Sequence, residues 1–119
     1  MTAGGFNSHE PIYLQIVARI REEIVSGHWE CGMQIPTVRE LAATLRVNPN
    51  TVQRALTTLE SENLLHSERT SGRFVTDNSD KIRDMQNKMA NKIIENCISG
   101  LTQLGYTREQ IAQCMKEEF

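Results

Sequence analysis

The sequence predicts a mainly α-helical fold that carries a small β-hairpin and ends in a pair of helices. Three observations lead to this prediction. Two short amphipathic helices, each with a strong N-cap, follow one another between Thr37 and Glu62. Two short strands then flank a turn at residues 69–72, and a longer helical periodicity begins near residue 80. Together these elements predict a winged helix-turn-helix domain followed by a two-helix C-terminal tail.

The composition is that of an ordinary globular protein, with 119 residues of which 39% are hydrophobic and 24% charged. No apolar run approaches the roughly 20 residues that span a membrane, and no secretory signal opens the chain. Cys31, Cys97 and Cys114 form no Cys-x-x-Cys pair. We therefore expect no metal, no cofactor, no disulfide framework and no membrane partner, and a cytoplasmic protein.

The first helix is predicted from an isoleucine at every fourth position between Ile12 and Ile24. Pro11 is expected at its first position, and Gly27 as the left-handed residue that ends it. Residues 1–9 are rich in glycine and polar side chains and predict a disordered N-terminus.

The next two helices are defined by their caps. Thr37 and Glu40 fit a capping box, with the hydroxyl on the N–H of Glu40 and the carboxylate reaching back. Asn48 is expected to cap the third helix, with Pro49 at its first position, and Asn63 to end it in the left-handed conformation. The predicted buried face of the third helix consists of Val52, Ala55, Leu56 and Leu59.

The remaining elements are a hairpin and the tail. Residues 64–68 and 73–76 are the predicted strands, and residues 33–35 are a further short candidate strand. A long helix is expected from about residue 80 to 103, and residues 107–110 form a second capping box that opens a last helix. The predicted domains are 10–76 and 77–119.

The outward side of the third helix carries groups that can read base edges in the major groove. Asn50 and Gln53 suit adenine, Arg54 suits guanine, and the methyl group of Thr57 suits thymine. The helix N-terminus at Asn48 presents free N–H groups and the positive end of the helix dipole, which suit a phosphate. The pattern therefore predicts that this helix lies in the major groove of double-stranded DNA.

Charge supports this prediction only locally, because the net charge is −2. Residues 37–59 hold three arginines and one glutamate, a sum of +2. Arg69 and Arg73 flank the turn of a small basic wing that can enter the minor groove. The predicted DNA-contacting residues are Thr37, Arg39, Arg46, Asn48, Asn50, Thr51, Gln53, Arg54, Thr57, Arg69, Ser71, Gly72 and Arg73.

The tail has more apolar surface than a small domain can cover, which predicts a homodimer built through the tail. The predicted interface residues are Ile82, Met85, Met89, Ile93, Ile94, Cys97, Ile98, Leu101, Ile111 and Met115.

Several ordered motifs between about residues 10 and 76 resemble the GntR family of bacterial regulators. They are Pro11-Ile12-Tyr13, Ser26-Gly27, PTVRELAATL at 36–45, VNPNTVQRAL at 47–56 and GRFV at 72–75. The resemblance implies a winged helix that binds a palindromic operator as a homodimer. By motif it places Arg39, Asn48, Asn50, Thr51, Gln53 and Gly72 at the DNA.

The motif at 47–51 and the tail with LGYT at 104–107 resemble the YtrA-type subfamily. This resemblance implies a protein without a large effector domain that dimerises through its tail and represses, often at transporter operons. No inducer is implied. The family wing often has Gly-x-Gly, whereas Thr70-Ser71-Gly72 keeps only the second glycine, so the depth of wing insertion stays open.

Three other functions are open at this point. A winged helix that only binds proteins would expose apolar residues on the third helix, where this chain has polar ones. An enzyme would need a nucleophile–base set, a phosphate loop or paired carboxylates, and none is found. The chain could also be one arm of a larger regulator, although two well-capped tail helices favour a small complete protein.

Overall fold

The computed structural model describes Met1 and residues 4–119 and divides into two compact units, Met1–Arg83 and Asp84–Phe119. The predicted boundary at residue 76 and the disorder predicted for residues 1–9 stay predictions. Residues 2 and 3 lie outside the described part of the chain.

The first unit contains three helices and a two-stranded antiparallel sheet, which confirms the predicted fold class. The elements are α1 (Ile12–Val25), α2 (Val38–Leu45), α3 (Pro49–Ser61), β1 (Leu65–Glu68) and β2 (Gly72–Val75). Leu65 lies opposite Val75 and Glu68 opposite Gly72. Gln34 forms a single antiparallel bridge with Phe74, so residues 33–35 line the free edge of β2. We refer to β1, β2 and the turn between them as the wing.

The core lies between α1 and α3. Ile16 and Ile20 of α1 and Leu56 of α3 are fully buried, and the other predicted residues of the α3 face are buried with them. Each such side chain contributes about 1.5–3 kcal/mol to folding by leaving water. Leu64 and Val75 extend this core beneath the wing. One side of α3 is therefore fixed by apolar packing, and its other side is available.

The caps hold the helices at the predicted residues, with two differences. Thr37 accepts the N–H of Glu40 at 3.2 Å, and Asn48 accepts the N–H of Asn50 at 2.7 Å. The Glu40 carboxylate, however, accepts the Thr37 hydroxyl at 3.0 Å, so the predicted contact with the backbone N–H of Thr37 is wrong. Pro11 is the N-cap of α1, one position before the predicted one.

Residues with positive φ end each of the helices α1, α2 and α3. Gly27 and Asn63 take this conformation as predicted, with φ of 85° and 62°. Arg46 also does so, with φ of 57°, in the turn between α2 and α3. A non-glycine residue is uncommon there, and the sequence did not indicate it.

Two further helices complete the chain. They are α4 (Ser79–Gln103), whose residues from Asp84 belong to the second unit, and α5 (Arg108–Glu118). Gly105, with φ of 95°, lies in the turn between them. Thr107 forms the complete predicted capping box, in which Gln110 donates its N–H at 3.2 Å and accepts the N–H of Thr107 at 2.8 Å. Across the described residues, no helix is long and apolar enough to cross a membrane.

Candidate DNA-binding surface

The outward side of α3 presents a stripe of amides and a hydroxyl. Asn50, Gln53 and Thr57 are exposed, whereas Val52 and Leu56 on the opposite side are fully buried. The Gln53 amide donates to the Thr57 hydroxyl at 3.3 Å, so the two side chains meet one helical turn apart. The stripe is thus polar, continuous and carried by a helix that the core holds in place.

The N-terminal end of α3 lies beside this stripe. Asn48 is exposed, and its amide oxygen is used by the cap, which leaves its NH₂ group to donate elsewhere. Thr51 is half-buried one turn later, and Arg46 is exposed just before the helix. The backbone N–H groups predicted to be free here are not: Pro49 has none, the N–H of Asn50 donates to the Asn48 side chain, and the N–H of Thr51 donates to the Asn48 carbonyl at 3.0 Å. The donors that this end offers to a phosphate are therefore the NH₂ group of Asn48 and the guanidinium of Arg46.

The first turn of α2 supplies two more of the predicted residues. Thr37 and Arg39 are both exposed there. The Thr37 hydroxyl is engaged with Glu40 on both its donor and acceptor sides, so Arg39 is the better placed of the two to bind an outside group.

Arg54 has a partner within the chain. Its guanidinium carbon lies 3.8 Å from the centre of the Tyr13 ring, a cation–π contact between α3 and the first turn of α1. The sequence had indicated DNA as the partner of Arg54 and gave no sign of this ring contact. Arg54 nevertheless remains exposed, so the ring holds the side chain without covering it.

The tip of the wing is held from one side. Arg69 and Ser71 are exposed in the turn, and the Gln34 amide donates to the Ser71 carbonyl. Gly72 has φ of 107°, and a Cβ there would lie 3.0 Å from the Gln34 amide nitrogen. The positive φ strains any residue that has a Cβ and therefore favours glycine at this position, whereas the flexible end of the Gln34 side chain can shift to make room.

Arg73 is occupied differently from Arg69. Its Nε donates to the Glu60 carboxylate of α3, and its side chain is only 21% exposed. We therefore leave Arg73 out of the proposed DNA-contacting set. Glu60 is absent from the residues predicted from the sequence, although its spacing of three from Thr57 and seven from Gln53 places it on the same side of α3.

The predicted interface residues of the tail differ in exposure. Ile93, Ile94 and Ile98 are 69%, 54% and 40% exposed. Cys97 and Met115 are exposed as well, whereas Ile82, Met85, Met89 and Leu101 are half-buried. Ile111 is only 7% exposed because it packs within the chain, so we omit it from the proposed interface.

The described residues contain no cluster of three histidine, cysteine or acidic side chains placed to hold a metal ion. The chemistry that the surface offers is hydrogen bonding and positive charge.

The family model for bacterial regulatory proteins of the gntR family matches residues 12–75, which contain α1 to α3 and the wing. The chain belongs to the GntR family. It is a DNA-binding transcription regulator with a winged helix-turn-helix, as the motifs predicted.

Relatives within the GntR family extend over different shares of the chain. The regulator YhcF of Bacillus subtilis is 31% identical over 93% of this chain and 92% of its own. The transcriptional repressor YtrA of Bacillus subtilis is 38% identical over 60% of this chain and 55% of its own. The predicted resemblance to the YtrA-type subfamily is therefore confirmed.

Solved structures agree with this membership. A GntR family regulator from Listeria monocytogenes has a TM-score of 0.87 and 39% identity, and covers 94% of this chain and 98% of its own. AraR(DBD) in complex with operator ORX1 has a TM-score of 0.55 and 30% identity, and covers 64% of this chain and 93% of its own.

Proposed function

We propose that this GntR family regulator represses transcription by binding a palindromic operator as a homodimer. The observation that carries the proposal is α3, which the core fixes on one side and which exposes Asn50, Gln53 and Thr57 on the other. A helix of this kind fits the major groove, and amides placed along it can read base edges. The naming of the relative YtrA as a repressor supports the direction of regulation.

Phosphate binding rests on few charges. Arg39, Arg46 and Arg69 are exposed arginines in each chain. If all of them neutralise phosphates, six contacts per dimer give a slope of about −5 for log affinity against log salt concentration. Titration of the protein onto a duplex selected from random DNA measures this slope. A slope near zero would contradict phosphate contact.

The homodimer is proposed from the tail. Ile93, Ile94 and Ile98 are exposed within two turns of α4, and no residue of α4, which is described throughout, is buried. An apolar patch of this kind on a small protein is typical of an interface, and a second copy supplies a matching patch across a two-fold axis.

Sedimentation at micromolar concentration tests the dimer. The protein is expected to be dimeric, and the double variant Ile94→Asp, Ile98→Asp monomeric, because two carboxylates would be buried without partners. Leu14→Asp is the matched control, since Leu14 is 42% exposed on α1 and is expected to leave the dimer intact. A monomeric unaltered protein would remove the homodimer from the proposal.

Two measurements test the binding mode. Arg39→Ala should lower operator affinity by about 1–3 kcal/mol if the guanidinium makes a specific contact. Footprinting should show two half-sites about 10 base pairs apart, or a multiple of that distance, because a two-fold dimer places its two α3 helices on one side of the duplex. A single isolated half-site would contradict dimeric binding.

Repression itself is tested with a reporter gene placed behind the selected operator. Transcription should fall when the protein is present and recover with the Arg39→Ala variant. The YtrA-type resemblance extends the proposal to a transporter operon. Transcript levels in a strain lacking the gene test that extension.

A further inference from the structure

We infer that Glu60 is a positioning residue that fixes the wing to α3 and thereby sets where Arg69 meets DNA. The inference rests on the proposed DNA binding and adds a specific part to it. It also gives Arg73 a role different from the direct contact that the sequence indicated.

The Glu60 carboxylate holds both strands of the wing at once. One oxygen accepts the Nε of Arg73, which belongs to β2, and the other accepts the hydroxyl of Ser67, which belongs to β1, at 3.1 Å. Ser67 and Arg73 lie directly opposite each other in the antiparallel pair. A single side chain of α3 therefore bonds to the two strands at the same level.

The free edge of β2 is held from its other side. The N–H of Ile35 donates to the carbonyl of Arg73 at 2.9 Å, and the N–H of Val75 donates to the carbonyl of Met33 at 2.8 Å. The Gln34 amide reaches the Ser71 carbonyl at the tip. A two-stranded hairpin is marginally stable alone, so these contacts and Glu60 together define the position of the wing.

Charge explains why Arg73 belongs with Glu60. Glu60 shares the side of α3 that exposes Gln53 and Thr57, and an unpaired carboxylate there would repel phosphates. The Arg73 and Glu60 side chains are 21% and 29% exposed, so salt screens this pair less than a fully exposed one. The pair thus neutralises the carboxylate and orients the wing, while Arg69 at the tip keeps its charge for DNA.

A double-mutant cycle tests the inference with the full chain and a duplex selected from random DNA. In the unaltered background, Arg69→Ala should weaken binding about tenfold. In the Glu60→Ala background the wing tip is displaced, and the same change should cost about twofold or less, since little contact is left to lose. Glu60→Gln should restore most of the Arg69 effect, because an amide can still bond to both Ser67 and Arg73.

The matched control is Glu62→Ala. Glu62 is the C-cap residue of the same helix and pairs with Arg21 of α1, and its side chain is 27% exposed, close to that of Glu60. Its loss should leave the effect of Arg69→Ala unchanged. If Glu60 only stabilised the fold, Arg69→Ala would have the same effect on binding in the Glu60→Ala and Glu62→Ala backgrounds. Thermal unfolding of each variant measures the loss of stability separately.

Arg73→Ala separates positioning from direct contact. If Arg73 positions the wing, this variant should abolish the Arg69 effect as Glu60→Ala does. If Arg73 itself binds phosphate, the losses from Arg73→Ala and Arg69→Ala should add, which would overturn the inference. Ser67→Ala, which removes one of the two contacts, gives a milder reading should Glu60→Ala fold poorly.

Two other results would overturn the inference. One is an Arg69→Ala effect that is equal in the unaltered and Glu60→Ala backgrounds, and the other is no Arg69 effect at all. In both cases the proposed function stands as long as Arg39→Ala weakens binding. Failure of the unaltered protein to select any duplex would instead count against the proposed function.

Discussion

A substitution at the N-cap of α3 is expected to change DNA affinity without lowering the stability of the fold. Asn48 accepts the N–H of Asn50 at 2.7 Å and is exposed at the proposed phosphate-facing end. Asn48→Asp keeps an equally good cap, and its carboxylate interacts favourably with the helix dipole by about 0.3–1 kcal/mol. The folded state should therefore be as stable as before or slightly more stable.

DNA binding should respond in the opposite direction. Asn48→Asp adds one carboxylate per chain, and therefore two per dimer, at the end of α3 that is proposed to face phosphates. Because these carboxylates repel the phosphates, operator affinity should fall at least about tenfold. Asn48→Ser is the matched control because it keeps a cap without the charge, and Asn48→Ala should cost about 1 kcal/mol of stability by losing the cap.

Fluorescence anisotropy with a selected duplex and urea unfolding measure the two quantities on the same samples. Weakened binding at full stability for Asn48→Asp is expected, with a clearly smaller loss for Asn48→Ser, which removes the NH₂ donor but adds no negative charge. Unaltered affinity for Asn48→Asp would show that the end of α3 does not face the DNA backbone.

Three further predictions concern the packing that supports this surface. Leu56→Ala should destabilise the protein by about 2–5 kcal/mol in urea unfolding, since Leu56 is fully buried between α1 and α3, and a loss below about 1 kcal/mol would contradict that packing. A cycle of Tyr13→Ala and Arg54→Ala should show a coupling of about 0.5–1 kcal/mol in stability that Tyr13→Phe preserves, and zero coupling would mean that the ring contact contributes nothing. Thr107→Ala should cost α5 about 1 kcal/mol and speed hydrogen exchange of its first amides about fivefold, whereas unchanged exchange would exclude a role for the cap.

Local features of the structure could be predicted from the sequence because each depends on neighbours along the chain. The caps at Thr37, Asn48 and Thr107 follow from side chains that reach backbone groups two or three residues away. The buried face of α3 follows from the helical spacing of its apolar residues. Asn63 follows from the same logic, because a short polar side chain tolerates positive φ at a helix end.

The contacts that the sequence did not indicate are those in which a side chain chooses between distant partners. Arg73 and Arg54 have the same chemistry as Arg69, and nothing in the local sequence indicates that Glu60 and Tyr13 would engage them. Such choices depend on how α1, α3 and the wing pack. Ile111 is a similar case, since an apolar residue on a helix suits an interface and a chain's own interior equally.

The positive φ of Arg46 is another feature that the sequence did not indicate. Its sequence context gives no glycine or asparagine signal, and the tight connection between α2 and α3 imposes the conformation. The turn that orients the proposed recognition helix is therefore set by the fold rather than by the residue at its centre.

The central claim is that α3 reads base edges in the major groove, and selection of bound sequences from random DNA with the unaltered protein and with Gln53→Ala tests it most directly. Gln53 is exposed midway along the polar stripe and contacts Thr57 rather than the core. The unaltered protein is expected to select a two-fold symmetric sequence. Gln53→Ala should lose base preference at one pair of symmetry-related positions and keep it at the others. An identical selected sequence for both proteins, or no enriched sequence for the unaltered one, would contradict the central claim.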